Sequence, residues 1–198
     1  ALVVFYSWKS INYEKISDLT LLGIFMSIGF LTKYLFIYLI LTVKIIFLLQ
    51  LIKKKKLNIK LIIPGVIFVL FLTPHLIWLY QNDFATITYA LNRTGIEETS
   101  FINHFYNPFL YLAKQAGILI PVFIMLITFI KVKRIKFNNL KKDKYFLLFI
   151  NILPILLMFL TSFISGAKIR TMWMTPFYLF LGVLLIQIFK EYLNKNNL

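Results

Sequence analysis

The side chains of this sequence that could do chemistry are mainly cations and aromatics that interrupt long apolar runs. They are Lys33, Asp83, Arg93, Glu97, Glu98, His104, Lys168, Arg170 and Trp173, with Trp78, Tyr80, Tyr89 and Tyr106 nearby. Arginine and lysine bind phosphate oxygens, and aromatic faces stack on sugar rings. The set therefore suits a ligand that carries a phosphate and a sugar at a membrane surface. We predict phosphate contacts for Lys33, Lys168 and Arg170, and sugar or acceptor contacts for Asp83, Arg93, His104 and Trp173.

Each of these residues also has an ordinary structural interpretation. Aromatics form belts at membrane interfaces, and long basic side chains snorkel towards water. Paired carboxylates can act as acid and base, but Glu97 and Glu98 are adjacent and would point apart in an extended loop, which favours solvated loop charge. His75 follows Pro74 inside an apolar run. We predict that its ring bonds a backbone carbonyl that the proline frees.

The composition excludes most soluble classes. The chain has 198 residues, of which 60% are apolar, 18% aromatic and 15% charged. Soluble domains are about 45–50% apolar and about 25% charged, so a soluble enzyme and a disordered basic tail are both excluded. The absence of cysteine excludes Cys-ligated zinc, iron–sulfur clusters and disulfides. Two histidines alone make no metal site, so no metal and no cofactor are expected.

The apolar runs predict an all-α polytopic membrane protein with about six spans. The run from 19 to 52 is too long for one helix across about 30 Å of hydrocarbon, so we divide it at Lys33. Asp18 or Ser17 is the predicted cap of the first span, and Asn107-Pro108 the predicted start of the fourth. The predicted spans are 18–32, 34–52, 61–81, 107–130, 145–164 and 172–190.

Residues 1–8 are apolar but too few to span a bilayer. We interpret them as the end of an earlier span, followed by a polar loop over 9–18. The chain is then a single transmembrane domain from the C-terminal part of a longer protein. The longest polar connection, 82–106, is expected to cover the site and to help select an acceptor.

The basic residues predict the orientation in the membrane. Of the 22 lysines and arginines, sixteen lie in 9–18, 53–60, 131–144 and 190–198, five lie on the opposite side at Lys33, Arg93, Lys114, Lys168 and Arg170, and Lys44 lies within a helix. Basic loops remain in the cytoplasm, so the site residues face the periplasm of a bacterial inner membrane. The formal net charge of +15 is then topology signal and attraction to anionic lipid, and no nucleic-acid partner is expected.

Three stretches resemble one family. They are residues 23–34, which contain L-T-K-Y at 31–34, residues 73–84, which contain P-x-L-I-W-x-x-x-N-D-F at 74–84, and residues 168–178, which contain W-x-x-P-x-Y at 173–178. In this order they resemble the bacterial branch of the dolichyl-phosphate-mannose mannosyltransferase-like superfamily, which includes the aminoarabinose transferases and RgtA-type glycosyltransferases.

The resemblance implies a GT-C-type helix bundle that moves a sugar from a polyprenyl-phosphate donor to a lipid, glycan or protein acceptor on the outer face. Lys33 matches the lysine that lies near the donor phosphate in that family, and Lys168 and Arg170 match only loosely. The family's acidic base lies in the first large outward loop. No residue here aligns with that loop, so the catalytic residue is expected upstream of Ala1, and the fragment alone is expected to be inactive.

Two other function classes stay open at this stage. Pro74, Pro121 and Pro154 lie inside predicted spans and could break helices around the path of a transporter or lipid flippase. Alternatively, small residues such as Gly23-x-x-x-Ser27 could pack a non-catalytic subunit against a partner. An upstream outward loop with paired acids favours the enzyme, and an inverted repeat favours the transporter.

Overall fold

The computed structural model describes residues 1–55, 58–95, 100–130 and 142–193. These residues are predominantly helical and contain no strand, and five helical stretches are long and apolar enough to cross a membrane. The chain divides into two compact units, Ala1–Arg93 and Thr94–Leu198. The predicted all-α polytopic membrane class is therefore confirmed.

The N-terminal unit contains five helices that follow one another back and forth. They are α1 (Leu2–Tyr13), α2 (Ile16–Thr32), α3 (Ile37–Lys54), α4 (Ile63–Gln81) and the short α5 (Ala85–Asn92). One-turn 3-10 helices precede α3 at Tyr34–Phe36 and α4 at Ile59–Ile62. The stretches Tyr34–Lys54 and Ile59–Gln81 are long enough to span, and α2 is a shorter apolar helix.

A close approach of α2 to α4 holds the N-terminal unit together. Gly23 of α2 lies so near α4 that an added Cβ would be 2.8 Å from the Pro64 carbonyl oxygen and 2.8 Å from Ile67 Cβ. One turn later the Ser27 hydroxyl donates to the Gly23 carbonyl at 2.8 Å and lies 3.4 Å from the Phe68 carbonyl. The small-residue pair therefore serves packing inside this chain, as small residues do between membrane helices.

The predicted loop over 9–18 is wrong except at Glu14 and Lys15, because α1 continues to Tyr13 and α2 begins at Ile16. Helix α1 accommodates its polar residues: Lys9 pairs with the buried carboxylate of Asp18 at 2.8 Å, and the Asn12 amide donates to the Trp8 carbonyl at 3.0 Å. The predicted cap of α2 is wrong as well. Lys15 is the N-cap, and Asp18 lies within the first turn, where it binds Lys9.

The part of the C-terminal unit that the structure describes contains three α-helices. They are α6 (Asn103–Ile130), α7 (Lys142–Ser165) and α8 (Leu181–Leu193), and a 3-10 helix, Thr171–Phe180, leads into α8. Ring contacts of Phe105 with Phe163 and of Phe109 with Phe159 show that α6 and α7 run antiparallel. Three candidate spans lie here, at Asn103–Ile127, Asp143–Ser165 and Thr171–Ile188.

Two boundaries differ from the prediction around the connection 82–106. It contains helix α5, and α6 begins at Asn103, four residues before the predicted start. Asn107 does not cap α6, because its side-chain amide donates to the Gly166 carbonyl at 2.6 Å instead.

Lys114, counted above among the outward residues, lies eleven residues inside α6. Helices α4, α6 and α7 continue through Pro74, Pro121 and Pro154.

Glu14 joins three elements at the end of the N-terminal unit where α3 ends in Lys53 and Lys54. Its carboxylate accepts from the Lys54 ammonium and, at 2.8 Å, from the Asn58 amide. The hydrogen bond from Lys54 is the main cause that holds the pKa of the Glu14 carboxyl below its usual range. This contact ties the end of α1 to the end of α3 and to the start of the segment that leads into α4.

Because the folded pKa of Glu14 is lowered, the stabilisation is complete above its unfolded pKa of about 4.3 and is lost as pH falls through the folded pKa. We expect Glu14→Gln to lower the free energy of unfolding at pH 7 by at most about 1 kcal/mol, because both side chains are partly exposed, and thereby to lower the midpoint of thermal unfolding in detergent. Thermal scans by circular dichroism from pH 7 to pH 3 measure this. The difference between the two proteins should shrink below pH 4; a constant difference would contradict the assignment.

Candidate functional site

Lys33 lies where α2 ends and the chain reverses direction. Its backbone is extended, its N–H donates to the Gly29 carbonyl at 3.2 Å, and its carbonyl accepts from the Phe36 N–H at 2.8 Å. The side chain is exposed. The predicted break of the 19–52 run at Lys33 is confirmed, and it leaves an ammonium at the end of two antiparallel apolar helices.

Directly after Lys33, a polar network joins three helical elements. The Tyr34 hydroxyl lies 2.8 Å from His75 Nε2 on α4 and 2.8 Å from the Thr86 hydroxyl on α5. The prediction that His75 bonds a backbone carbonyl is corrected: its Nε2 meets the Tyr34 hydroxyl, which the turn after Lys33 brings to α4. We name Tyr34, His75, Thr86 and Trp78 the tyrosine–histidine cluster.

Aromatic rings extend this cluster at the same end of the unit. The His75 ring stacks on Trp78 with centroids 5.8 Å apart and planes 13° apart, and Phe30 packs on Tyr34 at 5.4 Å. Trp78 is 43% exposed. An exposed indole one turn from a hydrogen-bonded imidazole provides a face on which a sugar ring could stack.

A tight turn positions α5 so that Thr86 reaches Tyr34. Asp83 and Phe84 both have positive φ, at 48° and 53°, and the Phe84 N–H donates back to the Leu79 carbonyl at 2.9 Å. Two consecutive non-glycine residues in the left-handed region are uncommon. Asp83 is exposed in this turn, at the end of α4 that carries His75.

Arg93 follows α5 and turns back on its own helix. Its guanidinium carbon lies 5.6 Å from the centre of the Tyr89 ring, and one of its nitrogens donates to the Tyr89 hydroxyl at 3.3 Å. The described contacts of Arg93 are therefore local. In the N-terminal unit, Lys33 lies next to the cluster in sequence, Asp83 lies in the turn that leads to Thr86, and Arg93 lies at the far end of α5.

In the C-terminal unit, the segment between α7 and the 3-10 helix is held by several hydrogen bonds to its backbone. Gly166 has a φ of 68°, and its carbonyl accepts the Asn107 amide. The Ser162 hydroxyl donates to the Ala167 carbonyl at 2.7 Å, and the Lys168 N–H donates to the Thr94 carbonyl at 3.0 Å. These bonds fix a short connection that would otherwise have considerable conformational freedom.

The fixed segment presents its two cations on one side. Ala167 and Ile169 are buried, whereas Lys168 and Arg170 are exposed. Because side chains alternate in an extended segment, the two cations share a face at a spacing of about 6.5–7 Å. The structure thus brings Lys168 and Arg170 together, and this spacing suits two contacts to one phosphate.

His104 and Trp173 flank this segment with roles that the sequence did not predict. His104 Nδ1 lies 3.0 Å from the Phe163 carbonyl near the end of α7, and the Trp173 backbone N–H donates to the Arg170 carbonyl at 3.0 Å. A carbonyl oxygen only accepts, so Nδ1 is the donor in this contact. His104 therefore makes a structural contact between α6 and α7.

The sequence did not identify Tyr34, Thr86 or Trp78 as a group with His75. The available signal was an ionisable histidine inside an apolar span, which is a reason to expect function. Glu97, Glu98 and residues 131–141 lie outside the described residues. Within the described residues, no group of three His, Cys, Asp or Glu could hold a metal ion.

No protein-family model, curated protein or solved structure matches this chain.

Proposed function

We propose that the chain is part of a membrane glycosyltransferase that moves a sugar from a polyprenyl-phosphate donor to an acceptor on the periplasmic face. The observation that carries this proposal is the exposed ammonium of Lys33 at the α2–α3 reversal, next to the tyrosine–histidine cluster. An ammonium at a helix end suits a phosphate at the membrane surface, and the exposed face of Trp78 suits the sugar.

The proposed reaction breaks the bond between the sugar carbon and the donor phosphate oxygen and forms a bond to an acceptor oxygen. The acceptor proton goes to a general base, and the departing polyprenyl phosphate retains the negative charge. Lys33 would stabilise that charge. Lys168 and Arg170 are a further candidate phosphate contact within the C-terminal unit. The GT-C-type fold is also part of this proposal. Its basis is the three stretches that resemble the glycosyltransferase family.

Two observations weigh against the other function classes. The transporter hypothesis needs helices that are interrupted at proline, but α4, α6 and α7 continue through their prolines. A subunit that docks through Gly23 and Ser27 would need that surface free, whereas both residues pack against α4. The enzyme proposal needs neither feature.

The proposed orientation has a direct test. Basic loops should remain in the cytoplasm, so a cysteine at position 95 should react with an impermeant thiol reagent in intact cells, and a cysteine at position 138 should not. The chain has no cysteine of its own, so each label reports one site. Permeabilised cells provide the control, in which both sites should react. Equal labelling of both positions in intact cells would contradict the orientation.

The proposed activity is tested by transfer. Membranes that contain the protein should release polyprenyl phosphate from a polyprenyl-phosphate pentose or hexose with a radiolabelled sugar, and the label should appear in an acceptor fraction. Membranes without the protein are the control. If no labelled sugar of either class leaves its lipid in a protein-dependent manner, the proposed function is wrong.

A further inference from the structure

The proposed function does not use Lys44, a charged residue in the middle of α3. Lys44 lies ten residues from each end of the span Tyr34–Lys54, so about 15 Å of helix separates it from either end. Its side chain is exposed. Snorkelling serves lysines near helix ends, whereas an ionisable residue at mid-span indicates a function and a partner.

Lys44 lines an apolar groove of about 690 Å³ between α3 and α4, with Met26 of α2 at its base. From α3 the groove is lined by a helical stripe of Ile40, Val43, Lys44 and Phe47. From α4 it is lined by Gly65 and Val69, among others. A Cβ added to Gly65 would meet no atom within 4 Å, so the space beside this glycine is open.

The chain has no carboxylate that could pair with Lys44 at this depth. None of its seven acidic residues lies inside a candidate span, except that Asp143 is the first residue of one. In the shorter helix α2, the third residue, Asp18, is occupied by Lys9. A second copy of the chain therefore cannot supply the partner charge at mid-membrane, and lipid phosphates lie at the bilayer surface.

We propose that the groove between α3 and α4 binds a transmembrane helix of a partner protein that carries one carboxylate near its middle. The open side of the groove at Gly65 permits a close approach of two backbones, as small residues do in membrane helix pairs. Lys44 then donates to the partner carboxylate, which fixes the depth of the incoming helix. This inference uses the groove, and it is independent of the proposed sugar transfer at Lys33.

Energy transfer in vesicles tests this proposal with a model helix. The probe is an oligoleucine peptide of about 20 residues with one central Glu, compared with the same peptide carrying Gln. A fluorophore on a cysteine introduced at Leu48, an exposed residue of α3, reports binding to the full chain. We expect the Glu peptide to bind at least about tenfold more tightly than the Gln peptide.

Four variants separate charge from shape. Lys44→Met should abolish the preference for Glu, and Lys44→Arg should retain most of it. Lys114→Met removes another mid-span lysine, which does not line the groove, and should leave the preference unchanged. Gly65→Phe should fill the groove and weaken binding of both peptides while Lys44 remains charged. Circular dichroism confirms that each variant is helical.

Two results would overturn the inference. One is equal binding of the Glu and Gln peptides to the natural chain, or a Glu preference that survives Lys44→Met. The other is that the peptides bind in phosphatidylcholine vesicles but not in phosphatidylglycerol vesicles, and that Lys44→Met restores their binding in phosphatidylglycerol vesicles. That result would assign the groove to an anionic lipid. Neither outcome would affect sugar transfer, so failure here leaves the proposed function intact.

Discussion

Under the proposed function, Lys33→Met should lower turnover of the lipid-phosphate donor roughly 10–150-fold, which is the loss of one charge-assisted contact to phosphate. Methionine retains the length and apolar stem of the side chain but not its charge. The Lys33 side chain is exposed, and its backbone makes the hydrogen bonds that close the turn, so the fold should survive. Turnover of a radiolabelled polyprenyl-phosphate sugar, at matched protein level, measures the effect.

The matched control is another exposed lysine of the same helical hairpin. Lys55→Met removes an equal charge just beyond the other end of α3 and should leave turnover unchanged. Lys33→Arg should keep part of the activity, because the charge remains while the geometry changes. A fully active Lys33→Met enzyme would show that Lys33 only snorkels, and the phosphate role would be lost.

The second large effect is structural and concerns Gly23. Gly23→Ala places a methyl group 2.8 Å from the Pro64 carbonyl oxygen, a backbone atom that cannot move without shifting α4. Overpacking of this kind costs typically about 1–3 kcal/mol. We expect a lower midpoint of thermal unfolding in detergent, and Gly23→Leu should reduce the amount of folded protein in the membrane further.

Gly65→Ala is the control for this prediction. A methyl group at Gly65 meets no atom within 4 Å, and alanine is the better helix former. This variant should be neutral or slightly more stable than the natural chain. If Gly23→Ala and Gly65→Ala unfold at the same midpoint, the close packing of α2 on α4 is not what stabilises the unit.

The sequence predicted five of the spans because each is an apolar run bounded by charge, whereas the sixth, 18–32, is a shorter apolar helix. The break at Lys33 followed from a run too long for one span. By contrast, α5 was missed, since Ala85–Asn92 is short and lies in a connection with no apolar period. The length of α1 was missed because Lys9 and Asn12 indicate a loop, and only the pairing of Lys9 with Asp18 shows how a helix accommodates them.

The candidate site was only half predictable for a related reason. Lys33, Lys168 and Arg170 are visible as charges where charge is scarce. The tyrosine–histidine cluster joins Tyr34 to residues 41 and 52 positions away, and no pattern in one sequence gives the rotation of α4 that brings His75 to it. The contact of Asn107 with the Gly166 carbonyl was hidden in the same way, since it spans 59 positions.

The central claim is that Lys33 binds a lipid phosphate, and the most direct test compares two lipids that differ only in that phosphate. The full chain in nanodiscs should bind a polyprenyl phosphate at least about tenfold more tightly than the matching polyprenol. Lys33→Met should remove that difference, and Lys44→Met should leave it unchanged. Equal affinity of the natural chain for the phosphate and the alcohol would contradict the account.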